Sequence, residues 1–377
     1  MEGSGLGFYL FNVSLEMYIH LAYDNPGENI VYSPFSISAL LSMLLAGARG
    51  NTAKELSNLL HAGDEVDDNT RRFSRALCSL PTPSVVVRVA NRLFSTRQFP
   101  VREDYATLLE EFYRASIESV DFTRNPDAIR KEVNEWVSKK TNSKIQNLLG
   151  PGSVNEETKL ILVNAIYFKA NWDSAFNPES TRSADFHLDT ENTLKVQMMS
   201  REEYYAVSET KESNYRVLVM PYAQYEYSMV IVLPNEVDGL TSLEERLTEY
   251  DLRSLLDGLK THKVQLSLPK FKVRSNKGMA DVLRAMGVNE LFDADSVDLS
   301  GIFQEGNLAV TNIIHEAIVE VDEKGTVAAA SAAAAGGSSL YNPKSINFVV
   351  DHPFLFIIKR NQDDLILFMG SVRNPNA

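Results

Sequence analysis

The fold is decided by the stretch 316–353, which reads EAIVEVDEKGTVAAASAAAAGGSSLYNPKSINFVVDHP. Residues 317–321 are apolar and β-branched with an interrupting charge, which predicts a strand. After Lys324 no large side chain occurs until the bulky pair Leu340 and Tyr341. Alanine is depleted in strands and favoured in helices. Because glycines frame this alanine run, we interpret it as a segment of small side chains that could enter a tightly packed place.

Composition limits the class of protein around this stretch. The chain has 377 residues, of which 44% are apolar, so a single domain spanning 1–377 can bury a sizeable core. The net charge of −13 argues against a nucleic-acid-binding face. Its apolar runs fall well short of the roughly 20 residues that a membrane span needs. Cys78 is the one cysteine, which excludes an intrachain disulfide and leaves stability to packing.

Hydrophobic periodicity predicts an α+β fold with helices mostly early and strands mostly late. The predicted helices cover 10–21, 37–46, 51–60, 71–80, 105–113, 128–141, 240–256 and 277–286. The predicted strands cover 29–34, 85–94, 160–169, 196–198, 215–220, 227–233, 264–268 and 271–273. An acidic loop is expected over 63–69. Ser33 or Ser36 could cap the helix that begins near Pro34.

Motifs for catalysis and cofactor binding are lacking. A hydrolase is the first enzyme to consider, because many serines could partner the six histidines, which are His20, His61, His187, His262, His315 and His352. The chain has no Gly-x-Ser-x-Gly elbow, no phosphate-binding glycine loop and no Cys/His cluster with zinc spacing. We therefore expect no enzyme, no metal and no cofactor.

One basic cluster lies on a predicted helix. Arg71, Arg72 and Arg75 share roughly one face of it and could bind a polyanion such as a glycosaminoglycan. The acidic total charge favours an ordinary solvated face instead.

Four blocks of sequence resemble signatures of the serpin family, in the family's order. The blocks are 29–38 with 47–52, 162–172, 315–326, and 351–356 with 368–375. Together they cover nearly the whole chain from Asn29 to Pro375, and four blocks in order are far more specific than any one. The chain looks most similar to serpins of ticks and other arthropods.

The resemblance implies a suicide inhibitor of serine proteases that acts as a monomer. The implied serpin fold has three β-sheets, eight or nine helices and a reactive-centre loop at about 323–345. A protease cleaves this loop and is held as an acyl-enzyme, while the N-terminal part of the loop inserts into the main sheet. The rival hypothesis is a serpin-fold binding or chaperone protein that traps no protease.

The resemblance also implies a hinge at the start of the loop. An inserting strand must bury alternate side chains, and close packing rejects bulk and charge there. Every second residue from Thr326 is small, and Gly325 supplies backbone freedom. Val327 departs from the glutamate of many inhibitory serpins, but it should point outward. The implied hinge residues are Glu323, Gly325, Thr326, Val327, Ala328 and Ala330.

Two further groups of residues match positions that control sheet opening in serpins. Asn164 and His315 match a central hydrogen-bonded pair, which should lie near Ser33 and Ser36 in a region called the shutter. Trp172 matches the tryptophan of the breach, where the loop would enter. Lys270 and Glu323 match an ion pair at the same place.

The bond that a protease would cut depends on the bulky pair in the loop. The family's spacing from Glu323 points to Ser339-Leu340, whereas counting back from Pro353 gives residues 340 to 342. Because a specificity pocket gains most by burying one large side chain, we place the scissile bond at Tyr341-Asn342. Leu340-Tyr341 is the second choice and Ser339-Leu340 the third.

These assignments predict targets and a location. No Arg or Lys lies near the bulky pair, so chymotrypsin, cathepsin G and chymase are favoured over trypsin-like enzymes. The N-terminus lacks the features of a signal peptide, so the protein is either cytoplasmic or secreted with its signal removed. Extracellular targets favour secretion.

Overall fold

The computed structural model describes residues 5–63, 66–208, 214–246, 256, 258–306, 308–325 and 345–377. Within these ranges the chain forms eight α-helices, which are α1 (Leu6–Asp24), α2 (Pro34–Gly47), α3 (Gly50–Leu60), α4 (Val66–Ser79), α5 (Glu103–Leu108), α6 (Pro126–Lys140), α7 (Gly239–Arg246) and α8 (Ala280–Ala285). Helix α5 continues as a π-helical turn, Leu109–Tyr113. None of the described helices is long and apolar enough to cross a membrane.

The strands form two hydrogen-bonded sheets. They are β1 (Ile30–Tyr32), β2 (Val85–Thr96), β3 (Ser116–Val120), β4 (Leu160–Ala170), β5 (Arg182–His187), β6 (Thr193–Val207), β7 (Tyr215–Pro221), β8 (Tyr227–Pro234), β9 (Lys260–Pro269), β10 (Phe271–Gly278), β11 (Asn312–Val321), β12 (Ile346–Val349), β13 (Phe354–Arg360) and β14 (Ile366–Val372). Five strands form one sheet in the order β10-β11-β4-β2-β3.

The other nine strands form a path that divides naturally in two. Its order is β1-β14-β13-β8-β7-β6-β9-β12, with β5 paired to β6. Strands β6 and β7 join through only two residue pairs, Ala206 with Val219 and Val207 with Leu218. The narrow junction separates two strand sets, so the described strands fall into three groups, as expected of three sheets.

Helix α2 lies at the centre of the main core. All of its residues except Ala46 are buried, as expected of a helix that is apolar on every side. Ser33 caps it, because the Ser33 hydroxyl accepts a hydrogen bond from the Ser36 amide at 3.2 Å. Helix α2 packs against β4 and β14 and therefore contacts both sheets.

A second, smaller core lies on the other face of the five-stranded sheet. Val133 and Val137 of α6 belong to this core together with residues of β4 and β11, including Val163 and Ile314. Helix α6 itself contacts β2, where the Trp136 ring meets Phe94.

Several element boundaries differ from the sequence predictions for identifiable reasons. Residues 66–69, predicted as loop, begin α4, where two aspartates in the first turn suit the positive end of the helix dipole. The strand predicted at 196–198 extends over 193–207, because β6 pairs with β9 along residues 198–207 despite its charged side chains. The helix predicted from 277 begins at 280, because β10 stays paired with β11 up to Gly278. The strands β3, β5, β12, β13 and β14 were not predicted.

A buried ionic network joins the first helix to the C-terminus. The Tyr18 hydroxyl donates to Glu244 Oε1 at 2.6 Å, and Arg373 Nη2 pairs with Glu244 Oε2 at 2.5 Å. Burial, together with the nearby Glu244 charge, raises the pKa of Tyr18, so the phenol keeps its proton. Glu244 is 7% exposed, and its carboxylate therefore depends on these two partners.

We expect Glu244→Ala to lower the free energy of the first unfolding transition in urea by about 3 kcal/mol, because removing one partner leaves a buried charge unpaired. Circular dichroism against urea concentration at neutral pH measures the change. The matched control is Glu245→Ala at the exposed neighbouring position, which should alter stability little. Equal effects of the two substitutions would contradict the stabilising role of the network.

Candidate functional site at the junction of strands β4 and β11

The candidate site begins where β4 and β11 pair directly and in parallel. The pairing runs from Asn312 with Ile161 to Ile318 with Tyr167, and it places His315 directly opposite Asn164. The two side chains form a hydrogen bond of 2.5 Å between His315 Nδ1 and Asn164 Oδ1. His315 is 1% exposed and Asn164 is fully buried. A polar pair therefore links the two strands inside the core.

The remaining polar atoms of this pair bind the start of helix α2. The Ser33 backbone amide donates to His315 Nε2 at 3.0 Å. Asn164 Nδ2 lies 2.9 Å from the Ser36 carbonyl and 2.7 Å from the Ser36 hydroxyl. The structure thus brings together all four residues that the sequence assigned to the shutter.

A fifth residue completes this network and was missed in the sequence analysis. Asn91 of β2 lies opposite Asn164 in the antiparallel register, and its Oδ1 accepts from Asn164 Nδ2 at 2.5 Å. It is 7% exposed. Asn91 shares one strand face with the apolar residues Val85, Val87, Val89 and Leu93, and this interruption was the signal that could have revealed it. We call Ser33, Ser36, Asn91, Asn164 and His315 the gate.

The protonation of His315 follows from its partners. Burial lowers its pKa to about 3, so the ring is neutral at neutral pH. Nε2 accepts a hydrogen bond from the Ser33 amide and therefore carries no proton of its own. The ring proton lies on Nδ1, which donates a hydrogen bond to Asn164 Oδ1. This fixes the amide orientation of Asn164 and leaves its nitrogen to donate to Ser36 and Asn91.

Above the gate, the chain leaves β11 through a tight turn. Asp322 and Gly325 exchange two backbone hydrogen bonds, of 3.0 and 3.3 Å, around Glu323 and Lys324. Gly325 also forms an antiparallel bridge to Asn171, just beyond the end of β4. Gly325 therefore lies between the segments that follow β4 and β11, and it pairs in the antiparallel sense with both.

Gly325 occupies a position that only glycine fits without strain. Its φ of +127° lies in a region that other residues rarely adopt. A Cβ atom there would lie 2.5 Å from the Ala170 carbonyl oxygen and 2.6 Å from the Trp172 amide nitrogen. The predicted need for glycine thus has a local basis in this turn.

Trp172 lies directly beneath the turn. Its backbone amide donates to the Lys324 carbonyl at 3.0 Å, and its indole Nε1 donates to the Asp322 carbonyl at 3.1 Å. Its ring stacks on Tyr222 with 4.5 Å between ring centroids. The indole is 4% exposed, so it forms a rigid floor for the turn.

Glu323 anchors the turn from the other side. Lys270 Nζ lies 2.9 Å from Glu323 Oε2, and the Thr181 hydroxyl donates to Oε1 at 2.9 Å. Burial alone would raise the pKa of Glu323, but these hydrogen bonds and its own amide outweigh burial and lower it. The structure therefore brings together Trp172, Lys270 and Glu323, and it adds Thr181 and Tyr222, which the sequence analysis did not name.

The rest of the predicted loop lies outside the described residues. This applies to the hinge residues Thr326, Val327, Ala328 and Ala330, and to the candidate scissile residues Ser339, Leu340, Tyr341 and Asn342. Their assignment remains a prediction from the sequence.

The remaining sequence hypotheses concern a hydrolase, a metal and a polyanion. The His352 ring contacts Asp351, but its Nε2 lies 2.8 Å from the Pro234 carbonyl instead of a serine hydroxyl. Within the described residues no cluster of acidic, His or Cys side chains could hold a metal ion. Arg72 pairs with Asp68 and lies over the Tyr9 ring, whereas Arg71 and Arg75 are exposed.

These features define a class: an α+β protein whose five-stranded sheet is closed at its centre by the parallel pair of β4 and β11, with a buried polar gate below and a hairpin turn above. A family model described as serpin (serine protease inhibitor) matches residues 10–375. The chain belongs to the serpin family.

Particular relatives agree with this membership. Iris of Ixodes ricinus is 46% identical over 381 residues, which cover 99% of this chain and all of Iris. A leukocyte elastase inhibitor of Xenopus tropicalis is 37% identical over 368 residues, covering 96% of this chain and 97% of that protein. The crystal structure of Serpin48, described as a highly specific serpin of the insect Tenebrio molitor, matches with a TM-score of 0.89 at 33% identity over 99% of both chains. The expected serpin fold and the likeness to tick serpins are confirmed.

We predict that His315 makes stability depend on pH below its usual pKa of 6.5. Between pH 6.5 and pH 3 the His315 ring binds a proton in the unfolded chain but stays neutral in the folded chain. The free energy of unfolding is therefore highest above pH 6.5 and falls as the pH is lowered towards 3. The slope should be about 1.4 kcal/mol per pH unit.

Urea midpoints of the wild type and of His315→Gln, compared between pH 5 and pH 8, measure this contribution. The glutamine variant should lack the added slope, while every other titrating group is shared. Parallel pH profiles would contradict a buried neutral ring.

Proposed function

We propose that the protein inhibits chymotrypsin-like serine proteases by forming a trapped acyl-enzyme, and that cleavage at Tyr341-Asn342 lets the loop insert between β4 and β11. Family membership establishes the coarse function, a serpin of the protease-inhibitor family. The observation that carries the finer proposal is the pair of antiparallel bridges that Gly325 forms with Asp322 and Asn171, next to two strands that run parallel.

Strand direction supports insertion. A chain that turns back from β11 runs antiparallel to β11, and because β4 is parallel to β11, it also runs antiparallel to β4. Insertion would replace one parallel hydrogen-bond ladder with two antiparallel ladders. Antiparallel pairing is slightly more stable per residue, so the exchange favours the six-stranded sheet.

The length and side chains of the loop support the same exchange. Strand β4 has 11 residues, and the run of small side chains 326–335 is nearly as long. The space between β4 and β11 is bounded by the main core on one face and by the α6 core on the other. Small side chains enter such a space without displacing packed atoms.

The gate opposes the separation of β4 from β11 that insertion requires. Separating β4 from β11 breaks the His315–Asn164 hydrogen bond and seven paired positions. Breaking a buried hydrogen bond without replacement costs about 1–3 kcal/mol for each group left unpaired. The intact chain is therefore held in the closed form until cleavage frees the loop.

The bulky side chains of the loop support the proposed class of target protease. Leu340 and Tyr341 are the bulky side chains of the loop, and an aromatic residue before the cleaved bond suits a deep apolar pocket. Leu340-Tyr341 and Ser339-Leu340 remain the alternative bonds. One relative is named for inhibition of leukocyte elastase, so an elastase belongs in the test panel. Secretion fits these extracellular targets and is part of the proposal.

The rival function is a serpin-fold binding or chaperone protein. Such a protein needs no insertion, and a bulky or charged residue among the buried loop positions would not harm it. The uninterrupted small residues from Ala328 to Ala335 favour the inhibitor.

We expect the protein to form an SDS-stable complex with chymotrypsin. The intact mass of the complex should equal the protease plus residues 1–341 less one water, because an ester to the protease serine replaces the Tyr341-Asn342 peptide bond and the C-terminal peptide leaves. The mass of the released C-terminal peptide identifies the bond directly. Trypsin should form no complex, and an elastase serves as the comparison. Cleavage without any stable complex would favour the rival, and a peptide beginning elsewhere than Asn342 would overturn the assigned bond.

We expect Thr326→Arg to convert the inhibitor into a substrate, because a charge would have to enter the core during insertion. The ratio of trapped to cleaved chain on a denaturing gel measures the change. Val327→Arg is the matched control, since its side chain should point outward and trapping should persist. Trapping that survives Thr326→Arg would refute the insertion model.

A further inference from the structure

A cavity of about 250 Å³ lies along the upper edge of strand β2. Strand β3 pairs with this edge only from Arg92 to Thr96, so among the described strands none pairs with residues 85–91 on that side. The last residues of helices α4 and α6 and of the π-helical turn reach the same place. We call this space the edge cavity.

The edge cavity combines an apolar floor with a cationic rim. Leu80, Val87 and Tyr113 form the floor and are 2%, 9% and 3% exposed. Arg88, Arg114 and Lys140 form the rim and are exposed. No carboxylate is among the described residues that line it.

The rim charges are not neutralised locally. None of the three cations forms an ion pair or a side-chain hydrogen bond with any residue in the described part of the chain. Three helical C-termini end nearby, and each contributes a partial charge of about −0.5, which offsets only half of three positive charges. A positive site therefore persists on a chain whose net charge is −13.

The edge cavity also touches the gate. Asn91 lines the cavity, and its Oδ1 accepts the 2.5 Å hydrogen bond from Asn164 Nδ2. An occupant that packs against Asn91 would hold its amide in the orientation that binds Asn164. The occupant would thereby stabilise the closed form of the β4–β11 junction.

We propose that the edge cavity binds a small amphipathic carboxylate, with its tail on the Leu80–Val87–Tyr113 floor and its anionic head at the cationic rim, and that binding restrains the gate. The apolar floor selects a tail, which inorganic anions and sulfated sugars lack. The regulatory half of this proposal rests on the proposed inhibitory function, whereas the binding half does not.

Titration calorimetry of the full chain with decanoate tests binding without any protease. Decanol has the same tail without the charge, and inorganic sulfate has charge without a tail; both should bind far more weakly. The double variant Arg88→Gln, Lys140→Gln should weaken decanoate binding at least about tenfold, the equivalent of 1.4 kcal/mol. Lys139→Gln is the matched control, because Lys139 is exposed on the same turn of α6 but does not line the cavity.

Three binding results would overturn the site: decanol binding as tightly as decanoate, equal loss in the Lys139→Gln control, or sulfate binding that depends on the same two cations. The last result would indicate a plain anion patch instead of an amphiphile site. Circular dichroism of each variant shows whether it is folded.

The stoichiometry of chymotrypsin inhibition, with and without decanoate, tests the link to the gate. Decanoate should raise the number of chains cleaved per protease trapped in the wild type, because a restrained gate slows insertion, and should have no effect in the double variant. Unchanged stoichiometry despite binding would overturn the link. Binding without any trapping would refute the proposed function and leave the site intact, whereas trapping without binding would do the reverse.

Discussion

The whole arrangement depends on one contact, the buried hydrogen bond between His315 and Asn164 across two parallel strands. This hydrogen bond has a fixed geometry because each polar side-chain atom of the pair has a defined partner. The Ser33 amide occupies one ring nitrogen, which fixes the histidine proton and, through it, the asparagine amide. Burial lowers the histidine pKa to about 3 and so keeps this pattern in one protonation state across neutral pH. The sheet is closed by a network that any intervening strand must break.

The top of the same junction, in contrast, is partly exposed to solvent. The turn at 322–325 is held by the Trp172 amide and indole and by the Lys270–Glu323 pair, and it places Gly325 between the segments that follow β4 and β11. The Lys270 side chain is 39% exposed, so this ion pair contributes little stability. In the proposed insertion, separation would begin at the turn and meet its main resistance at His315. Asn91 contacts Asn164 from β2, on the side of β4 away from β11.

Local sequence pattern predicted secondary structure most reliably where a single signal dominated. The apolar run of 160–169 predicted the central strand β4, and Ser33 with Pro34 predicted the start of α2. Prediction failed where a long-range partner decided the outcome. Strand β6 is long because β9 lies beside it, and β10 reaches Gly278 because β11 does. The acidic start of α4 looked like a loop because charge is common to loops and to helix N-termini.

The sequence by itself determined the serpin family and the glycine at the turn, and it predicted which residues meet as shutter and breach, because these depend on residue type in a fixed order. It is also the sole source for the small-residue run and for the predicted scissile bond. Only the tertiary structure decided that Asn91 belongs to the gate, which ring nitrogen of His315 carries the proton, and that three cations from separate elements surround one apolar cavity. Those facts depend on which strands and helix ends meet in space, and contacts between residues far apart in the chain leave no periodic signal within it.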